Sequence, residues 1–259
     1  MMISKCPSLK QWDSIPDDIA LNIASFLQVS DICSLGSCSR FWRDLCASDF
    51  LWISLSKQRW PSLDFSKIGI VRDYDEESDQ QSSLSAKVWR SFYINWHQVM
   101  AGRATAIVKF VKQSSRDESL EVGDFLRAIG ELCSMEFGFK DVQLFLFTTK
   151  QNVLLNLIGL HYSLFWLGVP AEDITEALCS CQISERQVCV RWWKLGRWFH
   201  GFRLRDESRL RRVSLSELAI SKDEEVMGVL RRGAIHEVLR IQISAESPRT
   251  TWAYVHPQG

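Results

Sequence analysis

Residues 12–61, WDSIPDDIALNIASFLQVSDICSLGSCSRFWRDLCASDFLWISLSKQRWP, constrain the fold of this chain more than any other stretch. Start and stop signals cut them into short helices, and they hold more apolar side chains than so small a unit can bury within itself. Pro16 suits a first helical turn, where its missing N–H is no loss, and Asp17 and Asp18 set negative charge against the positive end of the helix dipole. Ile19, Ile23, Phe26 and Leu27 follow at i, i+4, i+7 and i+8, one stripe expected to be the buried face, beside a thin strip of Ala20 and Ala24. Ser30 or Asp31 would cap a second helix lined by Ile32, Leu35 and Cys38. Past a small-residue break at Gly36-Ser37, the apolar surface continues through Phe41, Trp42 and Leu45 to a third start at Ser48-Asp49. That last helix carries Leu51, Trp52 and Leu55 and stops at Pro61. Three short helices are the expectation, with apolar area left over for a partner, either the rest of the chain or another protein.

The ordered set Ile15-Pro16-x-x-Ile19, Ile23, Ser25-Phe26-Leu27, Asp31-Ile32, Leu35, Cys38, Phe41-Trp42-Arg43, Leu45 and Leu51-Trp52 resembles the F-box. The usual form has Leu at position 15 and Val at position 38; Ile15 and Cys38 keep an apolar knob at both. The resemblance covers about a fifth of the chain. It implies docking onto a Skp-type adaptor that hangs from a cullin scaffold. The residues it assigns to that contact are Ile15, Pro16, Ile19, Ile23, Phe26, Leu27, Ile32, Leu35, Cys38, Trp42, Leu45 and Trp52. The rest of the chain would then hold a substrate for ubiquitin transfer, with no catalysis of its own.

At 259 residues, 46% hydrophobic and 24% charged, the chain has the make-up of one small module and one larger domain. Its formal net charge of zero argues against a general nucleic-acid binder, although residues 1–80 hold 8 Lys/Arg against 12 Asp/Glu. The first twelve residues lack a signal-peptide core, which points to cytoplasm or nucleus and to reduced thiols. Of the eight cysteines, Cys33, Cys38 and Cys46 read as small hydrophobes. Cys179-x-Cys181 with Cys189 and His200 lacks the paired C-x₂-C spacing of a zinc site, so no metal and no cofactor is expected.

Residues 62–85 contain Asp73-Tyr74-Asp75-Glu76-Glu77-Ser78-Asp79, too polar and acidic for a core, and read as a linker whose serines offer sites for phosphorylation. A second domain is expected over 86–259, helical to about 187 and mixed thereafter. Trp89, Phe92, Trp96, Val99, Ala106 and Phe110 track one helix face to about Lys112, and further helical patterns cover 121–135 and 141–148. The apolar run Val153 to Val169 is broken by Asn156, Gly159 and His161 and is short for a membrane span, so it reads as a central buried helix with His161 hydrogen-bonded inside it.

Beyond a helix at 171–180 the period changes to two. Val188 to Trp193 and Trp198 to Leu204 flank Lys194-Leu195-Gly196 and read as a hairpin with Gly196 left-handed in its loop. In that register Val188, Val190, Trp192, Trp198, Phe202 and Leu204 share one face, and Arg191, Trp193, Phe199, Arg203 and Arg205 the other. Capping boxes at Ser214-x-x-Glu217 and Ser221-x-x-Glu224 start two helices, the second ending at Gly233; strands follow at 238–243 and 250–256. The whole is α+β, predominantly helical, with a small antiparallel sheet carrying helices.

The functional expectation is a non-catalytic substrate receptor of a cullin-based ubiquitin ligase. Its alternatives are an adaptor-binding protein outside any ligase and an unrecognised enzyme, for which no phosphate loop or nucleophile setting is apparent. For the substrate surface the candidates are Arg191, Trp193, Phe199, Arg203 and Arg205. Residues 186–212 hold nine Lys/Arg against Asp206 and Glu207, fit to grip an acidic or phosphorylated segment. A solvated sheet face whose arginines pair with acids at 223–225 is the plainer reading of the same residues.

Overall fold

A computed structural model of the chain describes residues 15–61, 63–64, 88–221, 224–234 and 238–245. Nearly all of the acidic segment 62–85, the side chains of the expected cap Ser221/Glu224 and the expected strand 250–256 lie outside the described residues. Two compact units are distinguished, Met1–Val99 and Met100–Gly259.

In the first unit the signals over 12–61 build four helices: α1 (Asp17–Ser25), α2 (Val29–Cys38), α3 (Arg40–Cys46) and α4 (Asp49–Arg59). The expected second helix divides because Ser39 is extended, its hydroxyl accepting from the Trp42 amide at 3.2 Å to cap α3. The break lies there, and not at Gly36-Ser37, which stay helical in α2; its N-cap is Gln28, ahead of the expected Ser30 or Asp31. The first residues of α5 (Val88–Ser114) complete this unit. Tyr93 packs against Trp52 and Trp60 with ring centroids 5.3 and 5.0 Å apart. Its hydroxyl accepts from the Arg59 guanidinium at 2.8 Å, and that guanidinium also lies 4.8 Å from the Trp60 ring. The Trp89 amide donates to the Asp49 carboxylate, whose pKa is raised by burial. Along α5 the buried residues are Trp89, Tyr93, Met100, Ala104, Ile107 and Val111, a stripe turned from the expected one; Val99 and Ala106 are exposed and Phe92, Trp96 and Phe110 half-buried.

The second unit is built on a four-stranded antiparallel sheet in the order β1-β6-β2-β5, from β1 (Ser119–Glu121), β2 (Gln187–Lys194), β5 (Glu207–Ser214) and β6 (Val238–Ala245). Its helices are α6 (Val122–Ser134), α7 (Phe139–Phe145), α8 (Val153–Phe165), α9 (Ala171–Ser180), α10 (Leu215–Ser221) and α11 (Glu224–Arg232). The fold is α+β and predominantly helical. Helix α8 is the core element, buried at every residue from Val153 to Ser163 and touching α6, α7, α9, α10, β2 and β6. Asn152 caps it by accepting from the Leu154 amide at 3.0 Å. Gly159 lets α7 come close: a Cβ there would lie 3.0 Å from both Val142 and Phe147. Val188, Val190 and Trp192 of β2 face the core with Ile241 and Ile243 of β6. At Ser214 the capping box closes as expected, the Ser214 amide donating to Glu217 at 2.7 Å and the Glu217 amide to the Ser214 hydroxyl at 3.2 Å. Gly233 ends α11 at φ 75°, the left-handed cap that its sequence position announces. Among the described residues no helix is long and apolar enough to cross a membrane.

One core residue departs from expectation. His161 is 4% exposed, yet neither ring nitrogen has a hydrogen-bond partner among the described residues; the ring sits against Phe125 and Phe165, with centroids 5.4 and 4.7 Å away. Burial, helped by the Arg231 charge, lowers its pKa from 6.5 to about 4. Below pH 6.5 the unfolded chain takes up a proton that the folded chain resists until about pH 4. Stability held above 6.5 is therefore lost between those values, by about 3 kcal/mol in all. Urea unfolding at pH 7, 6, 5 and 4 should show that loss, and His161→Leu should remove this share of it.

Candidate functional site

The first candidate surface is the outside of α1. The two alanines, not the large residues, turn inward: Ala20 and Ala24 are 0% exposed where α1 meets α3 and α4. Small side chains permit close helix contact, and the stripe expected to be core is thereby left outside. Ile19 is 48% exposed, Ile23 47% and Phe26 84%, with Leu27 and Ile15 half-buried and Pro16 exposed beside them. On α2 and α3, Leu35 and Trp42 are half-buried and Cys38 exposed, and Phe41 meets Trp42 edge-on at 5.3 Å. Three residues that the resemblance assigns to docking, Ile32, Leu45 and Trp52, lie inside the unit and support the surface from beneath. The Trp52 indole donates to the Cys46 carbonyl at 2.8 Å, tying α4 to the end of α3. Of the cysteines read as small hydrophobes only Cys46 is buried, with its pKa raised by desolvation; Cys33 and Cys38 are exposed. A 68%-exposed Phe50 on α4 was missed by pattern reading, since it falls next to the buried Leu51 and off the stripe.

The second candidate is the arm made by β2 and β5. The expected hairpin partner of β2 is wrong: β2 pairs with 207–214 over its whole length, from Gln187 opposite Ser214 to Lys194 opposite Glu207. Residues 198–204 instead form a separate ribbon of β3 (Trp198–Phe199) and β4 (Phe202–Arg203), turned at His200 and Gly201 with φ of 46° and 82°. Two successive left-handed residues match the twist of a two-residue hairpin, whereas Gly196, expected left-handed in a three-residue loop, is not among the residues with positive φ. Trp198, Phe202 and Leu204, expected on one face with Trp192, which is buried, are exposed, as is Phe199. The five proposed substrate residues are accordingly split. Arg191 and Trp193 stand on the open face of the sheet, with the Arg191 and Arg240 guanidinium carbons 5.9 and 5.3 Å from the Trp193 ring and Arg240 paired with Glu121. Phe199 and Arg203 are on the ribbon, and Arg205 follows it.

The neck of the ribbon is closed by Asp206, which accepts from the Gly196 amide and from Arg203, each at 2.9 Å; these bonds lower its pKa. A Cβ on Gly196 would fall 1.9 Å from the Leu204 carbonyl oxygen. Gly196→Ala should force the neck open at about 1–3 kcal/mol, the usual cost of overpacking. Amide exchange of Leu204, which donates to the Arg197 carbonyl at 2.9 Å, should then speed up at least about tenfold with β2 and β6 unchanged.

Cys179, Cys181, Cys189 and His200 are not gathered into a metal-holding group, nor is any other trio of His, Cys, Asp or Glu among the described residues. Residues 12–58 match a family model described as F-box-like. No curated protein matches the chain, and no solved structure does.

Proposed function

We propose that this protein, which carries an N-terminal F-box, docks a Skp-type adaptor with the outer face of α1 and the flank of α2 and α3, and holds a second protein on residues 100–259 for ubiquitin transfer. The observation that carries the reading is the inversion of α1: Ala20 and Ala24 inside, Ile19, Ile23 and Phe26 outside. A free-standing unit has no reason to leave such a stripe in water, whereas a partner that dehydrates it gains roughly 25 cal/mol for each Å² of apolar area covered. The adaptor would bring a cullin scaffold and a charged conjugating enzyme. The chain itself would perform no chemistry; holding a substrate lysine near the enzyme raises its effective concentration.

Titration with a purified Skp-type adaptor tests the first contact, and a ubiquitination assay with the complete cullin complex separates a ligase receptor from an adaptor-binding protein outside any ligase. For the substrate side, Arg191, Trp193, Phe199, Arg203 and Arg205 remain the proposed contacts, now as two patches, one on the sheet and one on the ribbon. Arg191→Glu and Arg203→Glu, made singly, should each weaken recovery of the ubiquitinated partner while adaptor binding is unchanged. Equal recovery by both variants would remove these arginines from the proposal.

A further inference from the structure

The sheet of the second unit has two unequal edges. One is β1, three residues long. The other is β5, eight residues long, paired with β2 along one side; among the described residues no strand pairs with its outer side. Residues 207–212 are all exposed. A long open edge is a template for another strand, and chains usually blunt it with charge.

Arginines stand on both faces of β5, and their charge outweighs its one acid. Arg209 and Arg211, on the helix-bearing face, both pair with the carboxylate of Glu225, at 2.9 and 3.6 Å. Leu210, 52% exposed, and Arg212 lie on the open face, where Leu210 is opposite Arg191 of β2. Glu207 is the only acidic residue in the strand. A second copy of β5 laid antiparallel would set arginines against arginines, which is unfavourable across a sheet. A strand bearing carboxylates would instead extend the ladder and meet guanidinium groups on either face.

We propose that β5 is a docking edge at which an extended acidic segment of a partner protein joins the sheet as its next strand. Backbone pairing supplies the affinity, and the alternating arginines select carboxylates over neutral or basic sequences. The inference goes beyond adaptor docking and does not use the F-box surface, so an adaptor titration on the same samples reports on that reading separately.

The probe is a fluorescein-labelled octapeptide of alternating Glu and Val with blocked ends, titrated by anisotropy against the full chain. It should bind, and the same peptide with every backbone amide N-methylated should bind at least about tenfold more weakly, since its charge is kept and its ladder bonds are lost. An Arg211→Glu, Arg212→Glu variant with unchanged thermal midpoint should lose a similar factor. Because that variant tests charge and not the ladder, amide exchange provides a second reading: the bound peptide should slow exchange within residues 207–214. No binding of the Glu-Val peptide, equal binding of its N-methylated form, or protection confined to other residues would each overturn the docking edge.

Discussion

Ile23→Asp combined with Phe26→Asp should abolish binding of the Skp-type adaptor and leave the protein folded. Both side chains are exposed on the outer face of α1, 47% for Ile23 and 84% for Phe26, so the free chain loses little packing when they are replaced. Surface changes of this kind are worth about 0.5 kcal/mol, with a further 0.3–1 kcal/mol for negative charge near the end of a helix. In a complex the same positions must be dehydrated. Anchor residues at the centre of an interface contribute about 2 kcal/mol or more each, and an unpaired carboxylate buried there adds its own desolvation. A loss of at least about 4 kcal/mol, near a thousandfold in Kd, is expected from the pair. Calorimetric titration and a thermal melt together read the effect. Ala20→Asp is the contrasting variant: Ala20 is 0% exposed where α1 is packed, so it should lower the melting temperature and lose binding only through unfolding. Adaptor affinity of the double variant within threefold of wild type would sink the docking assignment.

How the sequence spoke about α1 is instructive in the same terms. Periodicity finds the apolar stripe correctly, but it cannot say whether the stripe faces the chain's own core or a partner. Ala20 and Ala24 were the legible sign, since two small residues on the neighbouring strip mark the line of closest approach. Capping chemistry carried in the second unit, where Ser214 and Glu217 close a reciprocal pair and Gly233 adopts the left-handed turn, but not in α2, which starts after Gln28 and ends at a Ser39 cap that the small residues Gly36-Ser37 obscured. Long-range pairing did not carry. A glycine between two alternating runs suggested a hairpin from 188 to 204, yet β2 found its partner at 207–214, where Val213 stands opposite Val188 and the strand lengths match. Local turn chemistry in that stretch belonged to His200-Gly201, and nothing in single-residue periodicity ranks one candidate turn above another. The aromatic residues of early α5 were similarly ambiguous. Their partners are Trp52 and Trp60, which lie across the acidic segment in sequence, and only the fold brings them together.

Asn156→Leu should destabilise the second unit by roughly 1–4 kcal/mol, although it replaces a polar residue with an apolar one in the most apolar of the described helices. Asn156 is 0% exposed, and its side chain answers three groups at once. Its amide donates to the Leu146 carbonyl at 2.5 Å and to the Thr148 carbonyl at 3.3 Å, and its oxygen accepts from Arg186 at 2.5 Å. The same Arg186 nitrogen also donates to the Gln151 carbonyl at 2.8 Å, so the guanidinium rests on neutral oxygens, and burial lowers its pKa. Both carbonyls keep a backbone donor, the Thr148 amide at 3.0 Å for Leu146 and the Gln151 amide at 3.2 Å for Thr148. Leucine would therefore remove two neutral hydrogen bonds at about 0.5–1.5 kcal/mol each and a charge-assisted one to Arg186 at about 1.5–3 kcal/mol, against a gain of about 1–2 kcal/mol in transfer free energy. Asn156→Asp should fail as well, because a carboxylate has no hydrogen to offer either carbonyl. The position matters beyond stability. Arg186 immediately precedes β2, the strand on which β5 and its basic edge are laid, so this contact fixes where the arm leaves the helical core. Urea unfolding of wild type, Asn156→Leu, Arg186→Leu and the double variant should give a coupling of about 1–3 kcal/mol between the two side chains. A change below about 1 kcal/mol for Asn156→Leu would show that the backbone donors suffice for the two carbonyls and that the arm is anchored elsewhere.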